Sequence, residues 1–185
     1  MNYTTLEALR RWGTFQSPKD DGMLEATIAS ASRIIDRHCG RVFASSAETI
    51  HTFTRPLAGM RRHDPFDHQT LFLDDDLAAA ASAISGSPTV SYITANHPPY
   101  WAIINEDGYW SSPISVTGHW AYSEQAPPDI EIACLRLSKW LYELRDTARG
   151  DAVVVTDQGA VLMPAALPAD VLAILAPYVK TRIGR

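Results

Sequence analysis

The chain has no apolar run near the roughly 20 residues that a membrane-crossing helix needs, so no helical span is expected. Its first residues, Met1-Asn2-Tyr3-Thr4, carry no basic region and no apolar core, so no signal peptide is expected. Cysteine is nearly absent. Cys39 and Cys134 are the only two, too few for a disulfide framework, and both read as buried thiols in a reducing compartment. Basic charge is short: 16 Lys and Arg against 21 Asp and Glu leave a net charge of −5. That balance argues against a protein that coats nucleic acid, which needs a basic surface to displace counterions. It is also an ordinary solubility charge. Catalytic signatures are missing too. There is no Gly-x-Ser-x-Gly, no phosphate loop, no His-Glu-x-x-His and no Cys-x-x-Cys. Internal repeats and low-complexity segments are likewise absent.

What is present is ordinary globular material. The 185 residues are 46% hydrophobic and 20% charged, enough for a core of their own. The clearest stretch runs from Ile114 to Asp146. Ile114, Val116, Trp120 and Tyr122 alternate with Ser115, Thr117, His119 and Ala121, the period of a half-buried strand. Pro127-Pro128-Asp129 then opens a helix: proline suits the first turn and the aspartate complements the helix dipole. Ile130, Cys134, Leu137, Leu141 and Leu144 form its apolar stripe. Near the N-terminus, Thr4 with Glu7 fits a capping box for a short helix over 5–12 that Gly13 ends. Ser17-Pro18 starts a second long helix over 18–39, striped by Leu24, Ile28, Ala31 and Ile35 and capped by Gly40.

Between the long helices lie strand formers and turn residues. Strands are expected at 48–55, 70–73, 77–85, 89–94, 101–105 and 114–122, with turns at 56–59, 74–76, 85–88, 96–99 and 106–108. The alanines 78–81 favour helix, but Gly86 and Pro88 follow closely and a helix there would be short. Beyond Arg145 the expectation is a break, a hairpin over 151–163, a linker between Pro164 and Pro168, a short helix that Pro177 stops, and a basic tail. The fold class is therefore α+β: a bundle of two longer and two shorter helices, an inserted and mainly antiparallel β region at 48–122, and an extended C-terminal tail. The domain organisation is a main domain of 1–146, with helices at 5–12, 18–39 and 128–146, and a segment 147–185 of hairpin, short helix and tail.

Few constellations suggest chemistry. His63, Asp64, Asp67 and His68 supply donor types that zinc or manganese accepts. Pro65 rules out a regular helix there, the spacing matches no metal motif, and a polar loop is the reading adopted. Asp74-Asp75-Asp76 lacks the glycine and distal glutamate of a calcium loop and reads as a solvated turn. No metal, no cofactor and no catalytic residue is expected. Tyr100, Trp101, Tyr109 and Trp110 flank a hairpin; such aromatics stack on sugars or bases, or fill a core or an interface. Their rival reading is an aromatic-lined ligand-binding module. A metal-dependent enzyme on the 63–68 cluster is the remaining rival.

One resemblance stands out. Val116-Thr-Gly-His-Trp-Ala-Tyr122, then Pro128-Asp-Ile130 and a helix carrying Ala133, Leu137, Trp140-Leu-Tyr142 and Arg145-Asp146, resemble the head–tail connector (adaptor, or head-completion) proteins of tailed bacteriophages. Thr5-Leu-Glu-Ala-Leu9, Leu24, Ala31-Ser-Arg-Ile-Ile-Asp36, Cys39-Gly-Arg41 and Leu71-Phe-Leu-Asp-Asp-Asp-Leu77 match in the same order. The resemblance implies a structural virion protein, not an enzyme, at the neck of the particle and assembled in the host cytoplasm without a membrane. It would form a ring of about twelve copies beneath the portal protein, present a surface to a tail-completion or stopper protein, and let DNA pass without sequence-specific binding. A closed ring needs two different patches that meet from one subunit to the next. The implied subunit contacts are Leu135, Trp140 and Tyr142 on the outer side of the last long helix, with Val153 and Val155 in the hairpin. The implied portal-docking tail is Tyr178, Val179, Lys180, Arg182, Ile183 and Arg185. The implied tail- or channel-facing loop carries Arg61, Arg62, His63, Asp64 and Asp67.

Overall fold

A computed structural model describes residues 1–15, 17–45, 47–54, 66–67, 69–94, 98–147 and 167–180. The fold is mixed α+β, with four α-helices and two small antiparallel sheets among the described residues. The chain divides into two compact units. Met1–Gly40 and Pro127–Arg185 make a helical unit, and Arg41–Ala126 makes a β unit inserted between its halves. The chain therefore divides at 40/41 and 126/127 and not near residue 146. Residues 167–180 are part of the helical unit.

In the helical unit, α1 spans Leu6–Gly13, α2 Asp21–Cys39, α3 Pro128–Thr147 and α4 Ala169–Leu175. The α1 cap is Thr5 and not Thr4: the Thr5 hydroxyl accepts from Ala8 N at 3.1 Å, while Thr4 turns into the interior. Gly13 is the last helical residue, and Thr14 after it takes the left-handed conformation at φ 56°. Gly13 is needed for space instead, because a side chain there would collide with the Phe15 ring, which packs on Tyr142 at 4.8 Å. Pro18–Asp20 forms a 3-10 turn leading into α2, and Gly40 closes α2 with φ 65° and its N–H on Asp36 O. Pro127 O accepts from Ile130 N and Glu131 N, placing Pro128 at the first position of α3. Leu24, Ile28, Ala31 and Ile35 of α2 and Ile130, Ala133, Cys134 and Leu137 of α3 are buried. Val171 and Leu175 of α4 are buried with them, and a 3-10 turn over Ala176–Tyr178 follows where Pro177 stops the helix.

In the β unit, β1 is Thr49–Phe53, β2 Phe66–Asp67, β3 Thr70–Leu77, β4 Ala83–Ile84, β5 Val90–Ile93, β6 Tyr100–Asn105 and β7 Ile114–Gly118. One sheet runs β1-β7-β4 and the other β2-β3-β6-β5. Phe53, Leu71, Leu73, Leu77, Ile103, Trp110, Ile114, Val116 and Trp120 fill one core drawn from both sheets. Trp120 lies beyond the end of β7 yet stays in phase with it, and its indole N–H donates to Thr49 O at 2.9 Å.

Four expectations in this region are corrected. Asp74–Asp76 is not a turn between strands. It lies within β3, which advances from Phe72 to Leu77 while its partner β6 moves only from Ala102 to Tyr100, so the acidic run bulges. Of the expected 77–85 strand, Leu77 ends β3 opposite Tyr100, and only Ala83–Ile84 pairs regularly with β7. The rest follows β7 loosely, through Ala78 N to His119 O, Ser82 N to Thr117 O and Ser85 N to Ser115 O, each 2.9 Å. The segment passes close to β7: a Cβ on Gly118 would stand 2.8 Å from Leu77 Cδ1 and 3.6 Å from Ala81 Cα. Third, the strand ends at Gly118 and not at 122, which puts Ala121, and not Tyr122, in the interior. Asp67, expected in a loop, pairs in β2 with Thr70.

Candidate interaction surfaces

The outer side of α3 was expected to offer Leu135, Trp140 and Tyr142 to a neighbour. Leu135 is only 7% exposed, so its surface is already used within the chain. Tyr142 has Phe15 as an aromatic partner. Trp140 alone opens outward. It lines a groove of about 330 Å³ with Trp12, Arg136, Lys139, Glu143, Pro168, Asp170 and Val171. Arg136 Nη1 holds Asp170 Oδ2 at 2.7 Å and Lys139 reaches Glu143 at 3.5 Å, so the rim is self-neutralised. The Arg136 hydrogen bond holds the Asp170 carboxyl below its ordinary value. The floor is made of two indoles, a proline and a valine. Trp12, 47% exposed, is the residue sequence reasoning missed. It follows buried Leu9 by three positions, which sets it beside the apolar stripe of α1.

The expected docking tail is partly committed within the chain. Tyr178 Oη donates to Asp129 Oδ2 at 3.1 Å, and Lys180 N donates to Cys39 O at 2.8 Å. Val179 is exposed. Arg182, Ile183 and Arg185 lie outside the described residues, as do Val153, Val155, Arg61, Arg62, His63, Asp64 and His68. Among the described residues no group of three His, Cys, Asp or Glu side chains is placed to hold a metal.

The four aromatics of the expected ligand module are divided between core and surface. Trp110 is buried, Tyr100 packs against the core with its ring 4.8 Å from Tyr92, Trp101 stacks on Phe72 at 6.0 Å, and Tyr109 stands 77% exposed.

The β unit carries a second concavity of about 210 Å³, lined by Arg41, Val42, Thr49, His51, Asp75, Asp76, Trp120 and Ala121. Arg41 Nε pairs with Asp76 Oδ2 at 3.5 Å, and its guanidinium lies 5.2 Å from the Tyr122 ring centroid. The His51 ring stacks flat on Trp120, with centroids 4.0 Å apart and planes 5° apart. The other face of this strand pair carries His119, whose Nε2 lies 3.8 Å from Glu48 Oε1. No sequence motif marks this cleft, because its residues come from four separate stretches of chain.

A polar seam crosses the helical core. Tyr3 N donates to Ser32 Oγ at 3.1 Å, Tyr3 Oη donates to Asp36, and Ser32 Oγ lies 3.5 Å from Cys134 Sγ. Burial pushes the Asp36 carboxyl and the Cys134 thiol up, against the opposing effect of these hydrogen bonds. A buried thiol held protonated is a poor nucleophile, so the seam fixes the N-terminus to α2 and α3.

The chain matches no protein-family model, and no curated protein is similar to it in sequence.

Proposed function

We propose that the protein is a structural connector subunit that joins a DNA-filled phage head to its tail as a ring beneath the portal. The observation that carries this reading is the run Val116–Tyr122 followed by Pro128–Ile130 and the α3 helix, whose residue pattern resembles that family. Those residues have framework roles here. Val116 and Trp120 fill the β core, Gly118 admits Leu77, and Pro128 starts α3. The open side of α3 at Trp140 is the surface best suited to one half of a heterologous subunit contact, because it joins an indole floor to a charged rim. The portal contact then falls to Val179, Arg182, Ile183 and Arg185, next to the Tyr178 hydroxyl and the Lys180 main chain, which are held by Asp129 and Cys39.

The test is cosedimentation of the purified protein with DNA-filled, tailless heads that retain their portal, followed by particle imaging of the portal vertex. A ring of added density at that vertex supports the reading. A folded protein that leaves every vertex bare refutes it.

A further inference from the structure

We infer that the outer edge of β1 pairs, antiparallel, with β1 of a second copy of this chain about a two-fold axis at His51. Such a pair is isologous and closes on itself, so it is a state of the free protein and separate from any ring contact. It does not rest on the connector reading.

Alternation along the strands defines the edge. Ala78 N, Ser82 N and Ser85 N donate to His119 O, Thr117 O and Ser115 O, so those three residues turn their main chain toward the 78–85 segment. Main-chain groups along an antiparallel strand alternate in direction, so Ile114, Val116 and Gly118 turn theirs toward β1. Their partners there are Phe53, His51 and Thr49. Ile50 and Thr52 therefore direct N–H and C=O away from β7, to a side on which no described strand lies. Their side chains stand on the face opposite to that of Phe53, which is in the core, and Ile50 is 66% exposed.

Proteins shield such an edge with charge, proline, a bulge or brevity. β2 and β4 are two residues each, and β5 is half-buried along its length. β1 has none of these devices. Thr49-Ile50-His51-Thr52-Phe53 contains no Lys, Arg, Asp, Glu, Pro or Gly, three of its residues are β-branched, and it pairs with β7 without a shift of register. It is also complementary to itself. The outward groups at positions 50 and 52 meet the same groups of an antiparallel copy when Ile50 lies opposite Thr52 of that copy and His51 opposite His51. Each Ile50–Thr52 pair then exchanges both N–H···O bonds, and the exposed Ile50 side chain is covered by the threonine across from it. The His51 rings face one another at the axis, each stacked on Trp120 of its own chain with centroids 4.0 Å apart. So short an edge makes a weak dimer, well below the area of a permanent interface.

The experiment is sedimentation velocity on the full chain from about 1 μM to about 1 mM, joined to amide hydrogen exchange at both ends of that range. A monomer–dimer equilibrium should appear. The Ile50 and Thr52 amides should be slowed only in the concentrated sample, and the His51 amide, already bonded to β7, in both. Ile50→Pro deletes one outward N–H from each copy, leaves the β7 ladder untouched, and should weaken the dimer by about tenfold or more. Ile50→Lys sets a charge on the edge and should weaken it too, which covers the case of a proline variant that does not fold. A far-UV circular dichroism spectrum like that of wild type shows that each variant is folded. A chain that stays monomeric throughout, a dimer that leaves the Ile50 and Thr52 amides unprotected, or a dimer kept by the folded variants would overturn the inference.

Discussion

Removing residues 168–185 should unfold or severely loosen the helical unit, and the cause is α4. Val171 and Leu175 are 1% and 0% exposed. Returning two such side chains to water costs about 1.5–3 kcal/mol each, so about 3–6 kcal/mol together. The truncation also removes Asp170 from Arg136, Tyr178 from Asp129 and the Lys180 N–H from Cys39 O. Domains of this size hold only about 5–15 kcal/mol in all. With a urea slope near 2 kcal/mol per molar, the midpoint should fall by about 1.5–3 M. Far-UV circular dichroism across a urea series measures this directly. Leu175→Ala isolates the apolar contribution and should cost about 2–5 kcal/mol. A protein ending at residue 180 keeps α4 and the contacts of Asp170, Tyr178 and Lys180, and is the correct variant for asking whether the tail joins heads. A wild-type midpoint in the 168–185 deletion, or in Leu175→Ala, would show that α4 does not contribute to the core as its burial implies.

Other consequences are sharper in sign than in size. The Asp36 carboxyl is raised by burial, so its stabilising contribution is present below its unfolded value and lost as pH rises through its folded one. Asp36→Asn should therefore gain stability relative to wild type as pH rises above the ordinary carboxylate value; a difference that stays flat in urea titrations would contradict this. Gly118→Ala should destabilise the β unit by about 1–3 kcal/mol, since Leu77 is buried and cannot yield freely, and Leu77→Ala in the same chain should relieve part of that loss. Thermal melts of the four proteins of that cycle decide it. Trp120→Phe should cost about 0.5–1.5 kcal/mol by removing the indole hydrogen bond to Thr49 O, read as a shift in thermal midpoint.

The helices were legible because their signals are local. Pro128 after Pro127, Gly40 after Cys39 and the Ile130–Leu137 stripe each state a start, a stop or a face within a few residues. The alternation of Ile114, Val116 and Trp120 was legible for the same reason. What escaped was set by distant partners. Thr4 and Thr5 are equally good caps by chemistry, and only the inward turn of Thr4 chooses between them. Asp74–Asp76 reads as a turn until Arg41 gives Asp76 a reason to be buried in a bulged strand. The 78–85 segment follows β7 through Ala78 N, Ser82 N and Ser85 N, whose partners lie thirty or more residues away in the chain. Of the surfaces, Trp140 was found from its helix face. Trp12 and Pro168 were not, since the groove joins them from opposite ends of the chain.

The helical unit is written in two pieces, with the whole β unit between them. Synthesis from the N-terminus therefore delivers α1 and α2 without the helix that buries them, then a contiguous β stretch able to complete its own core, and only afterwards α3 and α4. For the time it takes to make about a hundred residues, Leu24, Ile28 and Ile35 have no α3 to cover them. Released chains ending at residue 127 should hold a protease-resistant β unit beside a digestible N-terminal pair of helices. The order of birth on the ribosome thus makes the inserted module the first part of this molecule to become native.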